Sequence, residues 1–307
     1  MEKRLTVRDD GSFKILQLTD MHYTHDDDKD RRAVALAESL IREEDPDLIM
    51  ITGDLVFGPD SLHNLDKALA PVVRSGKPWS FVFGNHDVEF ASNRKAFFAE
   101  LQKRPGCVAY HDEESVDGMG NHVLEIRSRE GALCWLIFGL DSGDYNPMTA
   151  VGGYGYITEN QIAWYRKQMR RYHDAHPDFS ALAFQHMPLP EHQEVWDYSR
   201  CYGLQREEIC CPRINTGLFY AMLREGHMKG LFVGHDHIND YWGEHFGIAL
   251  GFGRYSGYNS YGPEDFLRGG RLFLLKDSDP HHFETYLRLE DHRRILEDYV
   301  HEPAKSR

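Results

Sequence analysis

The segment Leu48-Ile49-Met50-Ile51-Thr52-Gly53-Asp54 decides the fold. Its apolar and β-branched residues stop at a glycine, and a carboxylate follows. A run this short, closed by Gly53, predicts a buried strand. Upstream, Phe13 to Leu18 (F-K-I-L-Q-L) predicts another, ending just before Asp20 and His22. Between them, Asp30 to Glu44 carries Ala33, Val34, Ala37, Leu40 and Ile41 at helical spacing. Pro46 ends that helix, because the residue before a proline is pushed out of the α region. Downstream come a helix over Leu62 to Arg74, a strand over Trp79 to Phe83 closed by Gly84, and a helix over Ser92 to Gln102 with Ser92 as N-cap. Strand and helix alternate, so the first third predicts a βαβαβ array on a parallel sheet.

Further along, His122 to Arg127 and Ala132 to Leu140 predict antiparallel strands, and Thr158 to His176 a long amphipathic helix capped by Thr158. Ala181 to Phe184 and Gly230 to Val233 predict strands ending at His186 and Gly234, with a helix over Thr216 to Glu225 between them. Gly247 to Phe252, Arg271 to Leu275 and Phe283 to Leu289 predict more strands, and Glu290 to Tyr299 a terminal helix. The expected architecture is α/β: two mixed β-sheets packed face to face with helices outside. The main domain is expected over 1–290, with a C-terminal helix and tail over 291–307.

Five blocks of metal-binding residue types fall at expected strand ends, where open α/β sheets bind ligands. They are D-x-H (Asp20, His22), G-D (Asp54), G-N-H-D (Asn85, His86, Asp87), a lone His186, and G-H-D-H (His235, His237). Side chains two apart in extended chain share a face, so Asp20 with His22, and His235 with His237, can point at one ion. The two oxygens of Asp54 allow it to bridge two cations. Asn85 offers a neutral carbonyl oxygen, and its amide hydrogens can reach a phosphate oxygen. His86 points into the site without having to ligate. Asp87 reads as a turn or cap residue, and His186 taken alone reads better as a satisfied core histidine than as a ligand. Mixed imidazole and carboxylate donors favour Mn, Fe or Zn over Ca, as a pair of divalent or trivalent ions. The acidic run Asp26 to Asp28 reads as a solvated loop.

The chain has 307 residues, is 41% hydrophobic and carries a net charge of −14, which argues against a basic surface for duplex nucleic acid. Its longest apolar run, Leu133 to Leu140, is too short to cross a bilayer. The charged N-terminus shows no secretory h-region. Cys107, Cys134, Cys201, Cys210 and Cys211 show no C-x-x-C spacing, so reduced thiols and a cytoplasmic location are expected. No motif bears on oligomeric state.

With these motifs in order, the sequence resembles the calcineurin-like metallophosphoesterase superfamily over roughly residues 13 to 290. It looks most like the purple-acid-phosphatase-like branch of plants, fungi and bacterial relatives. The closer likeness rests on G-D-L-V-F-G, F-G-N-H-D-V-E, L-D-S-G-D-Y, G-Y-G-Y-I, H-M-P-L-P-E and G-H-D-H-I-N-D. The resemblance implies a four-layer α/β/β/α sandwich. It also implies a first metal held by Asp20, His22 and His237, a second by Asn85, His186 and His235, Asp54 between them, and His86 near the leaving group. A water activated between the ions is the implied nucleophile. Two departures stand out. Phe57 replaces both the metal-binding tyrosine of purple acid phosphatases and the aspartate that orients the catalytic histidine in protein phosphatases, and His22 stands where the purple enzymes have glycine. No purple colour is expected, and what holds His86 is open.

The expected function is metal-dependent hydrolysis of a phosphoester, as phosphatase or phosphodiesterase, on a phosphorylated small molecule or phosphoprotein. The alternatives are a catalytically silent metal-binding scaffold that recognises a phosphorylated partner, and a hydrolase of non-phosphate esters or amides. Loops over Asp141 to Tyr156, Pro188 to Cys211 and Gly251 to Gly262 are expected to line the pocket, with Arg254 and Tyr255 as phosphate or ring contacts.

Overall fold

The computed structural model describes residues 5–90 and 93–304. Among these, the strands form two mixed sheets, one of six and one of nine. The six-stranded sheet runs Arg294–Ile295, Asp279–Leu289, Gly269–Lys276, Ser12–Leu18, Leu48–Thr52, Trp79–Val82. Its last three strands are parallel, as the βαβαβ pattern requires. The nine-stranded sheet runs Leu5–Thr6, His122–Arg127, Leu133–Gly139, Ser180–Phe184, Met228–Val233, Ile248–Phe252, Trp242–His245, Cys201–Tyr202, Val300–His301.

Strand periodicity explains the layering. Successive side chains point to opposite faces. Phe13, Ile15, Leu48, Met50 and Val82 therefore meet Trp135, Ile137, Phe184 and Phe232 of the other sheet in one buried seam. The alternate residues Leu16, Leu18, Ile49, Ile51 and Phe81 face outward onto helices, where they pack with Leu36, Leu40, Leu65, Val72 and Phe97. On the far side, Leu136, Phe138, Ala181, Ala183 and Leu231 pack with Ile162, Tyr165 and Met169 of the helix Glu159–Ala175 and with Met222 of Leu218–Glu225. This is the expected α/β/β/α sandwich.

Local chemistry sets the helix starts. Asp27 and Thr158 each form a capping box with the residue three positions on. Ser92 lies outside the described residues; the cap of the helix Arg94–Gln102 is Asn93, which accepts from the N–H of Ala96. The acidic run is structural: Asp27 caps, and Asp26 pairs with Lys67.

Two expectations are corrected. The helix expected over Leu62 to Arg74 is two, Ser61–Ala68 and Ala70–Ser75, because Pro71 has no N–H to continue a helix and sits in the first turn of the second. The helix expected over Glu290 to Tyr299 is absent. Arg294–Ile295 pairs with Asp279–Leu289, and Val300–His301 pairs with Cys201–Tyr202. His292 and Tyr299 adopt left-handed backbone angles that interrupt a helix, and the open sheet edges supply backbone partners instead. The His301 ring also stacks on Trp196 at 3.7 Å and donates from Nε2 to the Trp196 carbonyl.

Candidate metal centre

Five strand ends converge where the two sheets meet. The six-stranded sheet delivers Asp20 and His22 after Ser12–Leu18, Asp54 after Leu48–Thr52, and Asn85 after Trp79–Val82. The nine-stranded sheet delivers His186 after Ser180–Phe184, and His235 with His237 after Met228–Val233. All seven side chains are buried.

They gather into two groups. Asp20, His22 and His237 form one: His22 Nε2 lies 3.1 Å from His237 Nε2, which lies 3.5 Å from Asp20 Oδ1. Asp54, His186 and His235 form the other, with His186 Nε2 3.3 Å from His235 Nδ1 and 3.2 Å from Asn85 Oδ1. Asp54 Oδ2 faces both groups, at 3.6 Å from His22 Nε2 and 3.3 Å from His186 Nε2.

The outward atoms of Asp20, Asp54, His186 and His237 are held by the protein. Asp20 Oδ2 accepts from the Thr19 hydroxyl and the N–H of His235, which leaves Oδ1 buried with no hydrogen-bond partner. Asp54 Oδ1 accepts from the N–H of His86 at 2.8 Å, which leaves Oδ2 facing both groups. His186 Nδ1 donates to the Thr52 carbonyl at 2.7 Å, and His237 Nδ1 to the Tyr261 carbonyl at 3.2 Å. Such bonds fix the tautomer and aim the Nε2 lone pair inward. An unpartnered buried carboxylate oxygen is expensive unless a cation meets it. The donor set therefore fits a pair of metal ions.

Electrostatics points the same way. Burial, opposed by the nearby carboxylates, pushes His22 down to about 4, and burial with the charge of His186 pushes His235 down to about 3, so both stay neutral and offer lone pairs. Burial also opposes a charge on His186, but Asp54 and Asp20 outweigh it and lift that imidazole to about 10. Without ions, a proton on His186 offsets part of the charge of the two carboxylates.

The backbone is bent to make this possible. Asp20, His22, Asp54 and His235 all have left-handed φ, between 46° and 74°. For non-glycine residues that costs about 1–3 kcal/mol each. Space is also tight: a Cβ at Gly84 would stand 2.1 Å from Asp54 Oδ1, so only glycine lets the G-N-H-D turn approach Asp54.

Several neighbours complete the site. Asp87 is the expected turn residue and not a helix cap: its buried carboxylate accepts from the N–H groups of Asp54, Leu55, Val56 and Gly84. Glu89 Oε2 stands 2.6 Å from His86 Nδ1, while Phe57 packs edge-on against the His86 ring at 5.0 Å. Tyr255 and Tyr261 stack on either flank of His237, at 4.4 and 4.2 Å, so Tyr255 is a wall of the site and is buried. Tyr154 meets the edge of His235 at 4.4 Å. Arg254 is not a phosphate contact. It is buried, paired with Asp240 and set over the Phe266 ring. Cys210 comes near His235 and Asp236, but burial with the charges of Asp236 and Glu207 pushes its thiol up to about 12 and keeps it protonated. No disulfide joins the five cysteines. Among the described residues no helix is long and apolar enough to cross a membrane.

Comparison with known proteins agrees with this geometry. The family profile described as calcineurin-like phosphoesterase matches residues 13–239. Relatives include the Arabidopsis thaliana proteins named probable inactive purple acid phosphatase 29, 29% identical over 97% of this chain and 88% of that protein, and probable inactive purple acid phosphatase 28, 32% identical over 89% and 77%. The Saccharomyces cerevisiae phosphatase DCR2 is 30% identical over 78% of this chain and 46% of its own length. Among solved structures, a dimetal phosphatase from Danio rerio shares the fold with a TM-score of 0.61 at 14% identity, covering 95% of this chain and 99% of that one. A yellow lupin purple acid phosphatase matches with a TM-score of 0.54 at 13% identity, over 94% and 54%. With a profile spanning well over half its length and two sets of inward-facing donors at the junction of its sheets, this chain belongs to the calcineurin-like phosphoesterase family.

Proposed function

We propose that this protein is an active, dinuclear-metal-dependent phosphoester hydrolase. The observation that carries the reading is Asp54 Oδ2, set between His22 Nε2 and His186 Nε2 with its partner oxygen tied to the backbone. In this reading Asp20, His22 and His237 hold one ion, Asn85, His186 and His235 hold the other, and Asp54 is shared. Mn, Fe or Zn suit these donors best. Bound ions would supply a water of lowered pKa and neutralise charge on the phosphoryl oxygens. The chain does the rest. Asp54 and Asp20 set the charge of the pocket. The Asn85 amide offers hydrogens to a phosphoryl oxygen. His86, part-exposed beside Asp54, delivers a proton to the leaving oxygen.

The substrate in this reading is a phosphorylated small molecule or phosphoprotein. Exposed Phe90, Tyr145 and Tyr261 stand beside the site residues and offer apolar surface to the group that leaves. A cytoplasmic setting accords with five free thiols. The plant relatives' names call those proteins inactive, which keeps the silent scaffold as the second reading. The two separate in one assay. Mn²⁺-loaded protein is offered an aryl phosphate and a bis-aryl phosphate, with Asp54→Asn as control. Turnover of either ester, lost in the variant, supports the hydrolase. Tight metal binding with no turnover of either supports the scaffold.

A further inference from the structure

We propose that Glu89 is the positioning residue for His86 and that the pair serves the leaving group of the ester; this rests on the hydrolase reading above. The evidence is geometric. Glu89 Oε2 accepts from His86 Nδ1 at 2.6 Å. The turn after Asn85 brings them together, because the Glu89 N–H reaches the His86 carbonyl at 3.3 Å and folds the two side chains onto one side. His86 is thereby anchored twice: its N–H donates to Asp54 Oδ1 and its ring donates to Glu89. Phe57 steadies the ring from its edge but has no polar atom to give it.

A carboxylate on Nδ1 fixes both the ring plane and the tautomer, and leaves Nε2 as the nitrogen free to face substrate. In the step assigned to the pair, His86 starts with a proton on both ring nitrogens, and water forms the new bond to phosphorus as its own proton passes to solvent. The bond from phosphorus to the leaving oxygen breaks with its electron pair on that oxygen, which takes the proton from His86 Nε2. Glu89 touches no reacting atom. Its value grows as the leaving group becomes poorer: a nitrophenolate departs without help, whereas an alkoxide needs the proton.

The alternative, that Glu89 is only a surface ion partner, is separable. His86 and Glu89 side chains are 30% and 33% exposed, and an exposed pair contributes about 0–1 kcal/mol to folding. Replacing Glu89 therefore leaves the fold intact. The test compares the full-length wild type, Glu89→Gln and Glu89→Asp, each loaded with Mn²⁺, on 4-nitrophenyl phosphate and on an alkyl phosphate. Glu89→Gln is expected to lose about 10–100-fold in kcat on the alkyl ester, with KM and metal content kept and little change on the nitrophenyl ester. Glu89→Asp is expected to recover part of the loss. A second readout needs no activity: ¹⁵N NMR of the metal-free protein is expected to show His86 as one Nδ1–H tautomer in wild type and as a mixture in Glu89→Gln. Equal loss on both esters, or an unchanged tautomer, overturns the proposal. Should the wild type cleave neither ester, the hydrolase reading fails while the tautomer still decides the part played by Glu89.

Discussion

Asp54 hangs from Asp87: its N–H donates to Asp87 Oδ2 at 2.9 Å, so the residue that faces both donor groups is set by a carboxylate it never shares a ligand with. Asp87 also takes the N–H groups of Leu55, Val56 and Gly84, and so pins two strand ends together. Asp87→Ala leaves these donors buried and unpaired. Each such loss costs about 1–3 kcal/mol, so destabilisation of a few kcal/mol is expected in urea unfolding, with metal content reduced. Unchanged stability would mean that water or another group satisfies the turn.

Gly84→Ala tests the same contact from the other side. Its Cβ would meet Asp54 Oδ1 at 2.1 Å and the Asp54 nitrogen at 2.5 Å. The backbone must yield, which typically costs about 1–3 kcal/mol. The expected outcome in titration calorimetry is at least tenfold weaker binding of the ion proposed to rely on Asn85, with circular dichroism unchanged. Wild-type affinity would show that the turn can move freely.

Metal is expected to stabilise the fold, because it relieves the unpartnered Asp20 Oδ1 and the facing carboxylates. At a thousandfold excess over Kd, binding adds about 4 kcal/mol. Thermal unfolding with rising Mn²⁺ or Zn²⁺ is expected to show a climbing Tm that chelator reverses, and a much smaller rise in Asp54→Asn. An identical rise in that variant would place the ions elsewhere.

His122 predicts acid sensitivity away from the metal centre. Its Nδ1 donates to the Gly120 carbonyl and its Nε2 accepts from the Ser80 hydroxyl. Burial pushes it down to about 4, from about 6.5 when unfolded. The sign follows from proton counting: between those values the unfolded chain takes a proton that the folded one refuses, so stability is full above pH ~6.5 and falls as pH drops toward 4. The loss is on the order of 3 kcal/mol. Urea unfolding from pH 7 to pH 4 is expected to show a shallower decline in His122→Gln. Parallel curves would contradict the assignment.

The sequence made the central strands legible because Leu48 to Thr52 and its neighbours are short apolar runs ended by glycine, with chemical residues just beyond. That pattern also located the seven side chains that converge where the sheets meet, since a strand end fixes where a side chain must go. Three features left no such trace. Glu89 closes the F-G-N-H-D-V-E stretch, but its pairing with His86 is set by backbone folding that no spacing announces. The strands Arg294–Ile295 and Val300–His301 are two residues long, too short to carry a period, and form only because sheet edges await them. Arg254 looked free to bind phosphate because its buried partner, Asp240, lies 14 residues away with no motif linking them.

The central claim is that one carboxylate oxygen, Asp54 Oδ2, joins two ions, and a crystal grown with Mn²⁺ tests it most directly. The account predicts two anomalous peaks about 3.5–4 Å apart, one among Asp20, His22 and His237, the other among Asn85, His186 and His235, with Asp54 between them. A single peak, or two peaks that do not share Asp54, would contradict it.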